Sequence, residues 1–363
     1  MPAHVATVGG MSDTAEVSIR VHDGIGHLTL NRPEALNALT HAMVRLLATA
    51  LTEWRDSSEV SLVVLDGAGD RGLCAGGDVR VLYDNAVSGD SAASLAFLRD
   101  EYRLNAMIAE YPKPFVAIMD GVTMGGGIGL AGHASIRVVT ERSRLAMPET
   151  RIGFCPDVGG TWLLSRAPGE LGTYLGLSSA PMSGSDALAV GFADYFVPSE
   201  LLPHLMQAFA ERADPGSPSE IVLLFDETPE PSELAARRQW IDSCFSADTV
   251  PEIIARLDEY AAAHSSDEVR AAADALVALS PTAVTVTLAA LREARAVPGL
   301  RQALELEYRT CAWLLDQSDL REGIRAQIID KDRSPRWNPA RLDLLPDDLA
   351  TLALQHPVAD ALW

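Results

Sequence analysis

The chain has 363 residues and a mass of 38.8 kDa, 48% hydrophobic, 22% charged and 6% aromatic, a composition that excludes disordered, collagen-like and coiled-coil chains. Its 50 acidic residues against 29 basic ones give a formal charge of −21, a field that repels nucleic acid unless a basic patch overrides it, and there is no such patch. Lys occurs only at Lys113 and Lys331, so an anionic ligand has to be met by backbone N–H groups, helix N-termini or a few arginines.

The N-terminal stretch, read as a flexible tail over 1–15, lacks a basic region followed by an apolar one, and nowhere are there the roughly 18 consecutive apolar residues of a membrane helix. Neither secretion nor a membrane partner is expected. Residues 17–21 and 25–30 flank His22-Asp23-Gly24 and predict a β-hairpin with Gly in the tight turn. Thr40 is placed to N-cap a helix carrying Met43, Leu46, Leu47 and Leu51 at helical spacing. Strands are predicted at 62–65, 115–119, 136–139 and 193–197, with a small-residue helix opening over 125–132. This alternation reads as an α/β domain with parallel strand pairs. Pro215, Gly216, Pro218, Pro229 and Pro231 mark a linker over 213–232. Beyond it, helices are predicted at 250–263, 267–279, 282–296, 300–315 and 320–329, with Ser280-Pro281 as a stop and restart. The organisation is thus a tail (1–15), a core (16–212), a linker (213–232) and a helical C-terminal region (233–363).

Cys74, Cys155, Cys244 and Cys311 lie far apart with no Cys-x-x-Cys pair, which speaks against a zinc site and a disulfide framework and for a cytoplasmic protein. His41 and His133 fall within predicted helices and read as structural. No Gly-x-Ser-x-Gly elbow, phosphate-binding loop or His-Glu-x-x-His motif occurs.

Two glycine-rich segments stand out. Gly121-Val122-Thr123-Met124-Gly125-Gly126-Gly127-Ile128-Gly129-Leu130-Ala131-Gly132 follows a strand and opens a helix. It contains a G-x-G-x-x-G match, but without the strand-end glycine and the later acid of a dinucleotide site. Its glycines serve either close helix–sheet packing or an oxyanion, since N–H groups at a helix start carry positive potential. Leu73-Cys74-Ala75-Gly76-Gly77-Asp78-Val79-Arg80 also runs from strand to helix and presents the Gly77 N–H, or is simply a tight turn.

Together with Leu30-Asn31-Arg32-Pro33-Glu34-Ala35-Leu36-Asn37-Ala38-Leu39 and Ala146-Met147-Pro148-Glu149-Thr150, these segments resemble, in order and spacing, the crotonase (enoyl-CoA hydratase/isomerase) superfamily. A closer resemblance, to its 3-hydroxyisobutyryl-CoA hydrolases, lies in Arg99-Asp100-Glu101-Tyr102, Met147-Pro148-Glu149-Thr150, Phe154-Cys155-Pro156-Asp157-Val158-Gly159-Gly160 and Glu322-Gly323-Ile324-Arg325-Ala326. It implies an α/β fold, a crotonase-like (ClpP/crotonase) spiral core of ββα units with a helical C-terminal region.

The same resemblance implies that Gly77 and Gly126 donate backbone N–H groups to the thioester oxygen of an acyl-CoA. Hydratases of the superfamily place one glutamate shortly after the triple glycine and another in the Pro-Glu motif. Here the first position is Gly129, and only Glu149 remains. The implied set is that of a hydrolase: Glu149 as nucleophile or general base, Asp157 in proton transfer or at the substrate hydroxyl, and Glu101 at the substrate. Arg32 is a candidate for the CoA phosphates or a surface partner of Glu34. No metal or redox cofactor is implied, CoA entering as part of the substrate, and homo-oligomers are open to such a chain. The substrate expected is 3-hydroxyisobutyryl-CoA, as in valine breakdown. The alternatives are an enoyl-CoA hydratase or isomerase of the same fold and a noncatalytic acyl-CoA-binding protein.

Overall fold

The computed structural model describes residues 15–211 and 217–363. The expected tail, apart from Ala15, and residues 213–216 of the expected linker lie outside the described residues. Asp23 and Gly24, both at positive φ (50° and 77°), close the hairpin of β1 (Val17–His22) and β2 (Ile25–Leu30), with Val17 opposite Leu30. Positive φ at both central residues matches the right-handed twist of the strands they join.

From β2 the main sheet grows by parallel addition of β3 (Leu62–Gly67), β5 (Phe115–Met119), β7 (Ile136–Val139) and β10 (Tyr195–Phe196), in the order β1-β2-β3-β5-β7-β10. Both faces of these strands are covered. Val63, Leu65, Phe115 and Ala117 point into the main core, while Leu62, Val64, Val116 and Ile118 meet Leu205, Phe209 and Val222 on the outer face. That double burial is why residues 62–65 and 115–119 read as unbroken apolar runs. The outer cover comes from helices Leu202–Glu211 and Pro218–Leu223, so the stretch expected as a linker contains a packed helix.

A second, smaller sheet, unforeseen from the sequence, holds β4 (Gly72–Cys74), β6 (Val122–Met124), β8 (Arg144–Ala146) and β9 (Met182–Ser183), in that order. Each long strand, β3, β5 and β7, is followed by its short partner, β4, β6 and β8. The chain thereby spirals through repeated ββα turns.

Thr40 caps α1 (His41–Arg55), its hydroxyl accepting the Met43 N–H at 3.1 Å. Further along run α2 (Val79–Ser88), α3 (Ser91–Ala109) and α4 (Gly126–Ala131). In the C-terminal region the helices are Val250–His264, Asp267–Val277, Pro281–Ala294 and Leu300–Leu315. Ser280 accepts the Ala283 N–H (3.0 Å) with Pro281 at the first helical position, where a missing N–H is harmless. The helix expected over 320–329 is instead Ser318–Ile324 followed by a π turn over Arg325–Ile329.

Candidate active site

Strands β4 and β6 are parallel neighbours with Cys74 in register with Thr123, so the loops leaving their C-terminal ends emerge side by side. In the first loop, Leu39 donates its N–H to the Gly76 carbonyl (2.8 Å) and accepts the Asp78 N–H (2.9 Å). The Gly77 N–H between them has no acceptor among the described residues. In the second, Gly125 stands at φ 48° and donates to Ala146 (3.1 Å). Gly126 then opens α4, where an N–H has no carbonyl one turn back to bond. A methyl group at Gly126 would lie 3.3 Å from the Gly77 nitrogen. Two unsatisfied amides, 49 residues apart in the chain, therefore converge on one spot, the arrangement that holds a developing oxyanion.

Three acids surround this spot. Glu149 begins the short helix Glu149–Ile152, and its Oε1 would stand 2.8 Å from a methyl at Gly125. Glu101, on α3, also approaches, with Oε1 2.5 Å from where a Gly126 methyl would be. Both are buried, and Glu149 Oε2 and Glu101 Oε1 have no hydrogen-bond partner among the described residues. Asp157 accepts the Tyr102 O–H at 2.8 Å. It does not cap the helix Gly160–Leu164 that follows, whose cap is Gly159.

Burial governs the electrostatics. It holds Glu149 and Glu101 well above the usual carboxylate range, and the Asp157 charge beside each adds to the effect. Burial likewise pushes Asp157 up to about 7, against the pull of the Tyr102 hydrogen bond. Carboxyl groups raised in this way near neutral pH suit acid–base work.

These groups line one cavity of about 650 Å³. Leu98, Phe97 and Val158 supply apolar wall; Gln327 and Ile328, from the π turn, close the C-terminal side. At Gly129, the position of the missing hydratase glutamate, a methyl would sit 2.6 Å from the Val158 Cβ and 2.9 Å from Asn105 Nδ2. No side chain fits there.

Arg32 lines the cavity but is tied inward. It donates to the Ala38 carbonyl (2.6 Å) and to Asp78 (3.2 Å), and pairs with Glu16 at 3.3 Å, not with Glu34. Arg80 and Arg151, on the same wall, are exposed and have no carboxylate partner among the described residues. His41, in α1, bonds Asp100 (2.7 Å), whereas His133, expected within a helix, lies in the turn after α4 and bonds the Val158 carbonyl (2.8 Å); both contacts are structural. The Cys74 thiol, pushed up to about 12 by burial, is no nucleophile.

Sequence reasoning passed over Tyr102 and Glu307. Glu307 is fully buried and accepts hydrogen bonds from Gly159 and Thr161. A signal was present: Leu300, Ala303, Leu304, Cys311 and Leu314 form an apolar stripe at helical spacing, and Glu307 falls on it.

The family model described as enoyl-CoA hydratase/isomerase matches residues 25–352. A Danio rerio protein named 3-hydroxyisobutyryl-CoA hydrolase, mitochondrial, is 39% identical over 325 residues, 87% of this chain and 83% of the relative. Among solved structures, a carnitinyl-CoA dehydratase from Mycobacterium thermoresistibile is 45% identical with a TM-score of 0.90, covering 96% of this chain and 98% of its own. An enoyl-CoA hydratase from Rhodobacter sphaeroides 2.4.1 is 43% identical with a TM-score of 0.86, covering 94% and 98%. The cytoplasmic location expected from the cysteine pattern is corrected by the first of these, whose name places it in mitochondria; widely spaced free cysteines report a reducing environment and not which compartment supplies it. With matching motifs, spiral and near full-length similarity, the chain belongs to the enoyl-CoA hydratase/isomerase (crotonase) family of enzymes and is similar to its 3-hydroxyisobutyryl-CoA hydrolases.

Proposed function

We propose that the chain hydrolyses an acyl-CoA thioester, with 3-hydroxyisobutyryl-CoA as the substrate and Glu149 as the group that acts on it. The observation that carries this reading is the closure of the hydratase position after the triple glycine, where Val158 lies against Gly129, which leaves Glu149 as the Pro-Glu carboxylate beside two amides with no acceptor among the described residues. Water addition across a double bond needs both acids; thioester cleavage needs one.

In this reading the thioester oxygen sits between the N–H groups of Gly77 and Gly126. Glu149 either attacks the carbonyl carbon or takes a proton from an attacking water. A new C–O bond forms, the C–S bond breaks, and the CoA sulfur leaves with a proton. Attack by Glu149 itself gives a mixed anhydride that water then splits. Asp157, held by Tyr102, supplies or accepts the proton or meets the substrate hydroxyl, and Glu101 contacts the acyl group. The CoA phosphates are met by Arg80 and Arg151 at the cavity wall, which are free, in preference to Arg32, which is engaged.

The second reading, hydration or dehydration of a CoA ester, is favoured by the names of the two solved structures above. Incubation with 3-hydroxyisobutyryl-CoA and with crotonyl-CoA separates the two. Thiol release from the first alone supports hydrolysis; loss of enoyl absorbance from the second without thiol release reverses the choice.

A further inference from the structure

Asp157 reaches Tyr102 from a turn that its neighbours resist. Val158, a β-branched residue, sits at φ 54°, and Gly159 follows at φ 79°. A side chain in the left-handed region is unfavourable, most of all a β-branched one, and persists only where the surroundings over-determine it. Here two side chains do so, half-buried His133 and buried Glu307. His133 donates from Nε2 to the Val158 carbonyl (2.8 Å). Glu307, 148 residues along the chain from Gly159, accepts the Gly159 N–H on Oε2 (2.6 Å). On Oε1 it accepts both the Thr161 N–H (2.8 Å) and the Thr161 O–H (2.5 Å).

One turn further along the same helix, the Cys311 sulfur lies 3.3 Å from the Tyr102 oxygen. A single face of Leu300–Leu315 thus supports both members of the Tyr102–Asp157 pair. The same turn presses the Val158 Cβ over Gly129, so its conformation fixes an acid and an apolar wall together.

We propose that Glu307 is a positioning residue for the hydrolytic site: its carboxyl group clamps the strained 157–159 turn and so sets where Asp157 and Val158 meet the acyl end of the substrate. This rests on the hydrolytic reading above. The clamp needs an acceptor oxygen at each of two backbone N–H groups. In an amide, one of those oxygens becomes an NH2, and donor faces donor. Released, Val158 returns to negative φ, its peptide plane rotates, and Asp157 leaves Tyr102.

The test is steady-state thiol release from 3-hydroxyisobutyryl-CoA by Glu307→Gln, Thr161→Val and Asp157→Asn. Glu307→Gln is expected to lower kcat by roughly tenfold or more, since small misplacements of a reacting group are worth that much, while KM stays within about threefold because the CoA contacts are untouched. Thr161→Val, which keeps both backbone bonds, is expected to lower kcat about two- to fivefold with KM unchanged. If Glu307→Gln fails to fold, Thr161→Val decides. Should Asp157→Asn be inactive while Glu307→Gln, or in its absence Thr161→Val, matches the parent in kcat, the clamp is refuted and the hydrolytic reading survives. An Asp157→Asn variant as fast as the parent would remove Asp157 from the reaction, and the clamp with it.

Discussion

Gly126→Ala tests the proposed oxyanion site most directly, because the added methyl group lies beside the Gly77 nitrogen. It would stand 2.5 Å from Glu101 Oε1, 3.1 Å from Leu39 Cδ1 and 3.3 Å from the Gly77 nitrogen. Glu101 lines the cavity and its carboxyl end can shift within it, so the methyl group is accommodated in the space proposed for the thioester oxygen. Loss of one oxyanion donor costs about 10²–10³ in rate, roughly 2.7–4 kcal/mol. Here the oxygen is displaced from both donors, so kcat/KM is expected to fall about 10³-fold or more. The fold loses little, since Ala gains about 1 kcal/mol over Gly in a helix and offsets part of the crowding. Gly77→Ala is the control: its methyl would lie 3.4 Å from Phe97 Cε1, an ordinary contact away from the hole, and the N–H remains. It should stay within about tenfold of the parent, well short of the loss of a donor. The assay is release of free thiol from 3-hydroxyisobutyryl-CoA, read with a chromogenic thiol reagent and paired with a thermal melt. A folded Gly126→Ala protein within tenfold of the parent would mean that the carbonyl lies elsewhere and that the two free amides are incidental.

Glu149→Gln should lower kcat about 10²–10⁴-fold, the usual worth of a positioned acid–base group, while calorimetry still detects binding of the CoA ester; an unaltered rate removes Glu149 from the mechanism. Burial holds Glu149 well above the usual carboxylate range, and the reaction needs it ionised, so kcat/KM should decline on acidification from neutrality, and a profile flat down to about pH 5, near the unperturbed Glu value, would contradict the assignment. Stability runs the other way. Asp157, ordinarily at 3.8, titrates at about 7 in the fold, so between those values the folded chain keeps a proton that the unfolded chain has released. Its stabilising effect is complete below the lower value and is lost as pH rises through the upper one. The melting temperature should therefore drop as pH rises from about 4 to 7 and level off above that, and Asp157→Asn should flatten that slope; an equal slope in the variant refutes the shift. Arg151→Ala should raise KM for CoA esters several-fold, more at low salt, and leave a phosphate-free pantetheine ester unaffected. Arg32→Ala should instead lower the melting temperature by breaking its contacts with Asp78 and Glu16; the reverse pattern would return the phosphate role to Arg32.

What could be read in advance follows from how local each feature is. Strand β5 announces itself because both faces are buried and every residue is apolar, and β7 because three of its four residues are. The small sheet could not be foreseen: β4, β6 and β8 are three residues long, and β4 and β6 adjoin glycine-rich turns, so their pairing is set by the spiral and not by propensity. Arg99-Asp100-Glu101-Tyr102-Arg103 has the composition of a solvated helix face, yet Glu101 and Tyr102 are buried while Arg103 reaches out to bond the Leu362 carbonyl. Only the resemblance singled out Glu101. The partners of Arg32 are hidden for the same reason, since Glu16 and Asp78 lie 16 and 46 positions away in the chain and no spacing rule connects them.

The choice between adding water to a double bond and splitting a thioester then turns on one side chain's volume. Both reactions place negative charge on the carbonyl oxygen, so the two amides serve either. What differs is whether a second acid stands at the position just after the triple glycine. In this chain that place is shut twice: α4 has no Cβ at Gly129, and Val158, held at an unfavourable φ, occupies the space where a side chain would extend. Mutating Gly129 alone therefore cannot restore a hydratase pair, because the newcomer collides with Val158 and Asn105. The strain at Val158 and the three hydrogen bonds on Glu307 that hold it make physical sense as a device for closing that position while turning Asp157 toward the cavity. Strain of this kind, of order 1–3 kcal/mol, persists in a fold only where other contacts fix it, and here the contacts come from a helix of the C-terminal region.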